Sequence, residues 1–507
     1  MSARKDRILI WIGAELVHYF LAYSLQQKYD ADYYAIIDIT NKPKDFFKNQ
    51  SLVIFKKIWF FHDEINTYDK KNPDLQYLQN FEKRFEIDLW KLAINERIFY
   101  RFFNFHKFSA KEILTIEEKS AKFFESIVSD VKPDFFITKQ PSFHHLELFK
   151  EMCKKSGCKI LMLSYPKLGF RMLLSEDVNV MDDAKEITSV VAKNRSFPQM
   201  MEYLETHSSH SQLKNYYTAK KSKVPQVKAL FDYILSSNEN IKTNYNYYGR
   251  TKNKVLLNLL RTRVQKRNRE RFMQSHLLQK IDLSEPFIYF PMATDLERHL
   301  LIDSPFFTNQ IEVIRSVAKS IPVGFHLYVK ENPSNITRDW RPIDQYKELL
   351  DIPNVKLIHP SFSNQELLSN CSLVISIAGS SSFEAAFYQK PSIVFGNVLY
   401  SLLPSVHKVD KLEDLPKLIR GCLNQKPRQE DLDKFLTLLE NNTFEFNMVD
   451  FVSLISNRFY NEESSVDVRI NEGEIKEFYE EYADLIEILS SKHIEKINAH
   501  KSHKYNT

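Results

Sequence analysis

The chain has 507 residues, with 70 Lys and Arg against 65 Asp and Glu, 43% hydrophobic and 27% charged residues, and a formal net charge of +5. At roughly 150 residues per domain this allows two or three domains, and the near-neutral balance excludes a global nucleic-acid-binding footprint. Four cysteines, Cys153, Cys158, Cys371 and Cys422, show neither zinc spacing nor a secreted disulfide framework, which points to a reducing interior.

The opening MSARKDRILIWIGAEL has a basic start and an apolar run too short to span a membrane, interrupted by Glu15. It reads as a first core strand over 7–12 and not as a signal peptide. A turn at 13–15 follows, and 16–28 carries Leu16, Phe20, Leu21 and Leu25 at helical spacing before a second strand at 33–37. This βαβ unit opens a doubly wound domain. A strand at 57–61, a helical aromatic segment at 72–122, and a strand at 135–138 continue it. A turn with His144 and His145 then leads into a helix ending at Lys155, and 159–163 is the partner strand. The domain closes shortly after Leu174.

Residues 244–278 change character. Arg261, Arg263, Lys266, Arg267, Arg269 and Arg271 accompany a single acid, Glu270. The plain reading is a solvated helix face. The sharper readings are an anionic membrane surface, giving a peripheral contact through 250–271, or an acidic carbohydrate or phosphate.

A second α/β set follows: strands at 287–290, 324–330 and 355–358, with a helix at 308–320. Ser363 and Glu366 form a capping box. A βαβ unit then has strands at 373–377 and 392–395, a small-residue loop at 378–382 and a helix at 383–389. Helices at 412–422, 430–440 and 448–459 close the set, and 461–507 reads as a charged, partly mobile tail. The layout expected is an α/β chain with two Rossmann-like domains facing across a cleft: 1–180, a helical connector 181–280, then 281–460, and the tail.

The chain has only nine glycines, so Gly379 is read as a position that tolerates no side chain. Ser380, Ser381 and Ser382 follow at a helix start, where unpaired N–H groups suit phosphate oxygens, and Glu384 is placed for a ribose hydroxyl. An ordinary serine N-cap with a dipole-stabilising Glu384 is the alternative. Four loops follow parallel strands and are expected on one sheet edge: 292–298, the turn after Lys330, the turn with His359, and 378–382. They supply hydroxyls, a lysine, carboxylates and helix-end amides, a set suited to a nucleotide joined to a sugar. Each has a plain alternative: Lys330 ending a strand, His359 packing in a turn, Glu297 pairing with Arg298.

The motifs LERHLLIDSPFFTNQ (296–310), LYVKENPSN (327–335), NVKLIHP (354–360) and SIAGSSSFEAAFYQKPSIVFGNVLYSLLPSV (376–406) carry a resemblance over 289–409. The stretch resembles the capsule or surface polysaccharide biosynthesis family, whose best-understood members look like glycosyltransferases of the two-Rossmann GT-B type. The resemblance implies a nucleotide-sugar donor site of Glu297, Lys330, Asn332, Gly379, Ser380, Ser381 and Glu384. Asn332 stands where the family usually has His; it can donate a hydrogen bond but carries no proton. The first domain would then bind a glycan or lipid-linked acceptor. Glu15 and His18 are its candidate catalytic residues, with His144 and His145 as rivals, although Glu15 also reads as a helix N-terminal carboxylate.

The expectation is a metal-independent glycosyltransferase needing no cofactor beyond the nucleotide sugar as co-substrate. It is placed in the cytoplasm or peripherally at the inner face of the cell membrane. A nucleotide-sugar epimerase on the same architecture and a non-catalytic carbohydrate-binding assembly subunit are the alternatives.

Overall fold

A computed structural model describes residues 4–40, 42–65, 72–166, 169–184, 186–207, 244–336, 341–460 and 468–506. A continuous apolar strand needs cover on both faces. In the opening strand Ile8, Ile10 and Ile12 enter one core and Leu9 and Trp11 another, all fully buried. The strands of the first lobe are β1 (Asp6–Gly13), β2 (Ala31–Asp38), β3 (Lys57–Phe60), β4 (Phe135–Lys139), β5 (Lys159–Ser164) and β6 (Arg171–Ser175). β1 to β5 run parallel in the spatial order β3-β2-β1-β4-β5, and β6 joins β5 antiparallel.

The second lobe holds β7 (Phe287–Pro291), β8 (His326–Lys330), β9 (Val355–Ile358), β10 (Leu373–Ser376), β11 (Ser392–Val394) and β12 (Val406–Lys408). All pair in parallel, in the order β12-β11-β10-β7-β8-β9. Each sheet winds outward from its first strand in both directions, as in a doubly wound Rossmann sheet. The fold is therefore α/β with two Rossmann-like lobes, as the strand pattern implied. Every loop after β7, β8, β9 and β10 leaves the same carboxyl edge.

The second lobe does not extend to the expected boundary at 460, because the chain returns to the first lobe before it. β13 (Phe444–Glu445) pairs antiparallel with β6 of the first sheet. From there Phe451, Ile455 and Phe459 of the helix Met448–Phe459 enter the first lobe's core. Ile475, Phe478, Ile486 and Leu489 from the expected tail join them, and the rings of Phe20 and Phe478 lie 4.8 Å apart. The tail's charges decorate its outer face, while its apolar residues recur at helical spacing and pack inward. Of the expected connector, residues 208–243 lie outside the described residues. Lys252–His276 is one long helix, and Met273 and Leu277 anchor its end in the second core.

Candidate functional site

Alternation along β8 sends Leu327 and Val329 to one core and Tyr328 to the opposite face. Lys330, next on the Tyr328 side, is thereby turned toward the face covered by the helices Asn364–Asn370 and Ser381–Phe387. It is 5% exposed. No hydrogen bond or ion pair reaches its Nζ among the described residues, and Glu384 is the charge that acts on it. Burial pushes the ammonium down to about 8, against the opposing pull of Glu384.

Glu384 sits at the centre of a small polar cluster. Ser380 Oγ donates to its Oε1 at 3.0 Å and Asn364 Nδ2 to its Oε2 at 3.3 Å. Tyr289 Oη donates to Asn364 Oδ1 at 2.6 Å. Ser380 makes no side-chain capping bond to the helix, so the plain serine N-cap reading does not describe it. Ser381 opens the helix, and Ser382 is buried against Ser376 Oγ at 2.7 Å.

Gly379 departs from expectation. A Cβ there would meet nothing closer than Ser376 at 3.6 Å, which is ordinary contact. Its carbonyl accepts from Tyr400 Oη at 2.5 Å. The crowded glycines lie elsewhere: at Gly396 a Cβ would fall 2.0 Å from Ser304 Oγ, and at Gly249, whose φ is +71°, 2.2 Å from the Phe105 carbonyl oxygen.

Asn332 turns inward on its own loop. Its Oδ1 accepts from the Ser334 N–H at 3.0 Å and the Ser334 hydroxyl at 2.7 Å, an Asx turn. Glu297 pairs with His299 at 3.1 Å and not with Arg298, which reaches the other lobe. His359 is held by Ser361 at 2.6 Å. The edge thus gathers Lys330, Asn364, Ser380 and Glu384 through contacts of one cluster, while Glu297 and Asn332 occupy neighbouring loops with partners of their own.

Sequence reasoning missed the frame beneath. Buried Arg341 binds Glu331 at 2.9 Å and Asp295 at 2.9 Å, and Tyr346 Oη donates to Glu331 at 2.7 Å. Gln310 ties in Ala293 and Asp295. Burial pushes the Glu331 carboxyl up, and the Arg341 charge outweighs it, holding the net shift below the usual carboxylate range. This network fixes the loops after β7 and β8 against each other.

On the first lobe's carboxyl edge Glu15 pairs with Lys139. Burial would raise the Glu15 pKa, and Lys139 more than reverses it. Gly13 leaves the room: a Cβ there would lie 2.5 Å from Glu15 Oε2. His18 is buried, its Nε2 without a partner among the described residues, and burial with His493 and Lys139 nearby pushes it down to about 3. It is neutral at physiological pH.

The rivals lie deeper. His144 sits 3.2 Å from both Glu96 and Glu117, and His145 3.4 Å from Asp38. Glu96 and His144 nevertheless edge a pocket whose other wall is Leu301, Ile302 and Pro305 of the second lobe. No group of His, Cys, Asp or Glu suited to a metal ion occurs among the described residues.

Residues 191–404 match the family model described as capsule polysaccharide biosynthesis protein. Over that span the chain is similar to the capsule polysaccharide biosynthesis family. The matched segment contains Lys330, Asn364, Ser380, Glu384 and the Arg341 frame, so the whole cluster falls within it. No curated protein matches the sequence. Among solved structures, the chain is similar to UDP-GlcNAc 2-epimerase from Methanocaldococcus jannaschii at 12% identity and a TM-score of 0.25, over 85% of this chain and 98% of that one. It is similar to the KpsC beta Kdo 2,7 transferase of Thermosulfurimonas dismutans at 12% identity and a TM-score of 0.30, over 74% and 91%. Anabaena Alr3699/HepE, in complex with UDP and glucose, matches at 10% identity and a TM-score of 0.25, over 89% and 98%. At these scores the matches decide nothing about activity; the architecture is read from the two sheets themselves.

Proposed function

We propose that the protein is a glycosyltransferase of capsular or other surface polysaccharide synthesis, taking a nucleotide-sugar donor on its second lobe and a glycan or lipid-linked acceptor on its first. One observation carries the reading. Lys330 is a buried cation with no hydrogen-bonded counter-ion among the described residues, at the carboxyl edge of a parallel sheet, which is where such sheets take ligands. An anionic phosphate would compensate that charge.

In the proposed transfer an acceptor hydroxyl attacks the anomeric carbon of the donor. The bond from that carbon to the phosphate oxygen breaks, the hydroxyl proton passes to a base, and the electron pair leaves on the nucleotide. Lys330 stabilises the charge that grows on the leaving phosphate. Ser380 and Asn364 orient Glu384 toward the sugar or ribose hydroxyls. Glu15, kept ionised by Lys139, is the acceptor for the proton. His18 shapes the wall behind it, since burial leaves it neutral and weakly basic. Neither metal nor further cofactor is assigned a role.

The reading is tested by incubation with nucleotide sugars and an acceptor panel, with a thermal-shift screen of the same donors. Glu384→Ala and Ser380→Ala should remove the donor-induced shift while leaving the protein folded. An altered sugar still joined to its nucleotide, formed without acceptor, would indicate an epimerase. Donor binding without turnover across the panel would indicate an assembly subunit, a reading favoured by the engagement of Asn332 in its own turn.

A further inference from the structure

The helix Lys252–His276 has 25 residues, which at about 1.5 Å per residue makes it about 37 Å long. It is held at its two ends. Near its start Arg250 lies over the rings of Phe103 and Phe105. Near its end Met273 enters the second lobe's core and Arg269 is buried. Between these anchors its outer face is open. Leu257, Leu260 and Val264 are 66%, 58% and 58% exposed, and their i, i+3, i+7 spacing places them on one stripe. Arg267 and Arg271 continue that stripe, Arg261 and Arg263 flank it, and all four are exposed. Glu270 is the only acid of the helix.

We infer that this face is a membrane-docking surface that binds a bilayer rich in anionic lipid, with Leu257, Leu260 and Val264 entering the headgroup boundary and the arginines contacting lipid phosphates. The chemistry favours that occupant over two others. A soluble acidic polysaccharide would use the arginines and leave the apolar stripe in water. A second copy docked by two-fold symmetry would bring two copies of the same cationic face together, with Glu270 the only acid on either helix. A bilayer satisfies both halves of the face: apolar side chains lose water, and long cationic side chains reach the phosphate layer. No helix among the described residues is long and apolar enough to cross a membrane, so the contact is peripheral. It also runs alongside both lobes, which would hold the cleft beside a lipid-anchored acceptor. The inference does not depend on the transfer reaction, because vesicle binding needs no turnover.

The test is co-sedimentation of the full chain with vesicles of phosphatidylcholine alone and of phosphatidylcholine mixed with phosphatidylglycerol. Binding is expected only to the mixed vesicles, and weakening with added salt. The triple variant Leu257→Ser, Leu260→Ser, Val264→Ser should partition at least about tenfold more weakly. The triple variant Arg261→Glu, Arg267→Glu, Arg271→Glu should lose about a hundredfold, at about fivefold for each cation removed from the surface. These side chains are exposed, so circular dichroism of both variants should match the parent. Absence of binding to mixed vesicles would overturn the inference. So would a serine variant that binds like the parent, or concentration-dependent self-association that the serine changes abolish while vesicle binding persists.

Discussion

Arg298 of the second lobe donates from Nη1 to the carbonyl of Pro141 in the first, at 3.0 Å. The same guanidinium lies 2.9 Å from Asp303. Pro141 stands two residues beyond Lys139, the partner of Glu15, so this bond sets the Glu15 carboxylate relative to the second lobe. Arg298→Ala would remove the cation shared by the largely buried Asp303 and Glu147 carboxylates, at a cost of about 3 kcal/mol. Denaturant unfolding should show that loss. Donor binding should stay within about twofold, while turnover falls by at least about tenfold through misalignment of the lobes.

Arg341 is the second buried cation whose removal is predicted to be severe. It alone faces both Glu331 and Asp295. Arg341→Met should destabilise the fold by about 3–5 kcal/mol, because it leaves two carboxylates without their cation. Adding Glu331→Gln to that variant should recover part of the loss, since one stranded charge becomes a neutral amide. Chemical denaturation of the parent, the single and the double variant measures both effects. If the double variant is less stable than the single one, the network does not work as described.

These two arginines mark what the sequence could and could not convey. Two winding βαβ series were legible because unbroken apolar runs such as Leu373–Ser376 alternate with helical spacing. The shared carboxyl edge followed from that topology, and Lys330 and Glu384 came with it. Arg341 was not legible: it lies ten residues past its partner Glu331, in a stretch without periodicity. Asn364 was visible only as a residue of a capped helix, and its tie to Glu384 depends on how two helices pack. The final helices were misplaced because their charges obscured the stripe of Ile475, Phe478, Ile486 and Leu489. Gly379 was overread because scarcity of glycine says nothing about which glycine is crowded.

The Glu117 carboxyl is fully buried beside His144. Burial pushes it up to about 7 from an ordinary value of 4.5, the opposing charge of His144 notwithstanding. The folded chain therefore holds this proton over a range in which the unfolded chain has released it. Stability from this group is fully present below about 4.5 and is lost as pH rises to about 7. His144, raised above 6.5 chiefly by Glu117 against its own burial, acts in the same direction. Glu117→Gln should flatten that slope and leave the protein more stable than the parent at neutral pH. Thermal unfolding across this pH range measures it, and an unchanged slope would show that the pair does not control it.

The donor site is tested most directly by calorimetric titration of nucleoside diphosphates into the parent and Lys330→Met. The Lys330 pKa of about 8 lies below its ordinary 10.5, so the buried charge disfavours the free fold below about 8. Lys330→Met should accordingly stabilise the free protein, by on the order of 2 kcal/mol, while removing nucleotide binding. A bound phosphate favours the protonated lysine. Parent affinity for the diphosphate that binds should therefore fall about tenfold between about pH 7 and about pH 9. Equal affinity in the parent and Lys330→Met, or parent binding that does not change across that interval, would contradict the assignment of this lysine to the phosphate.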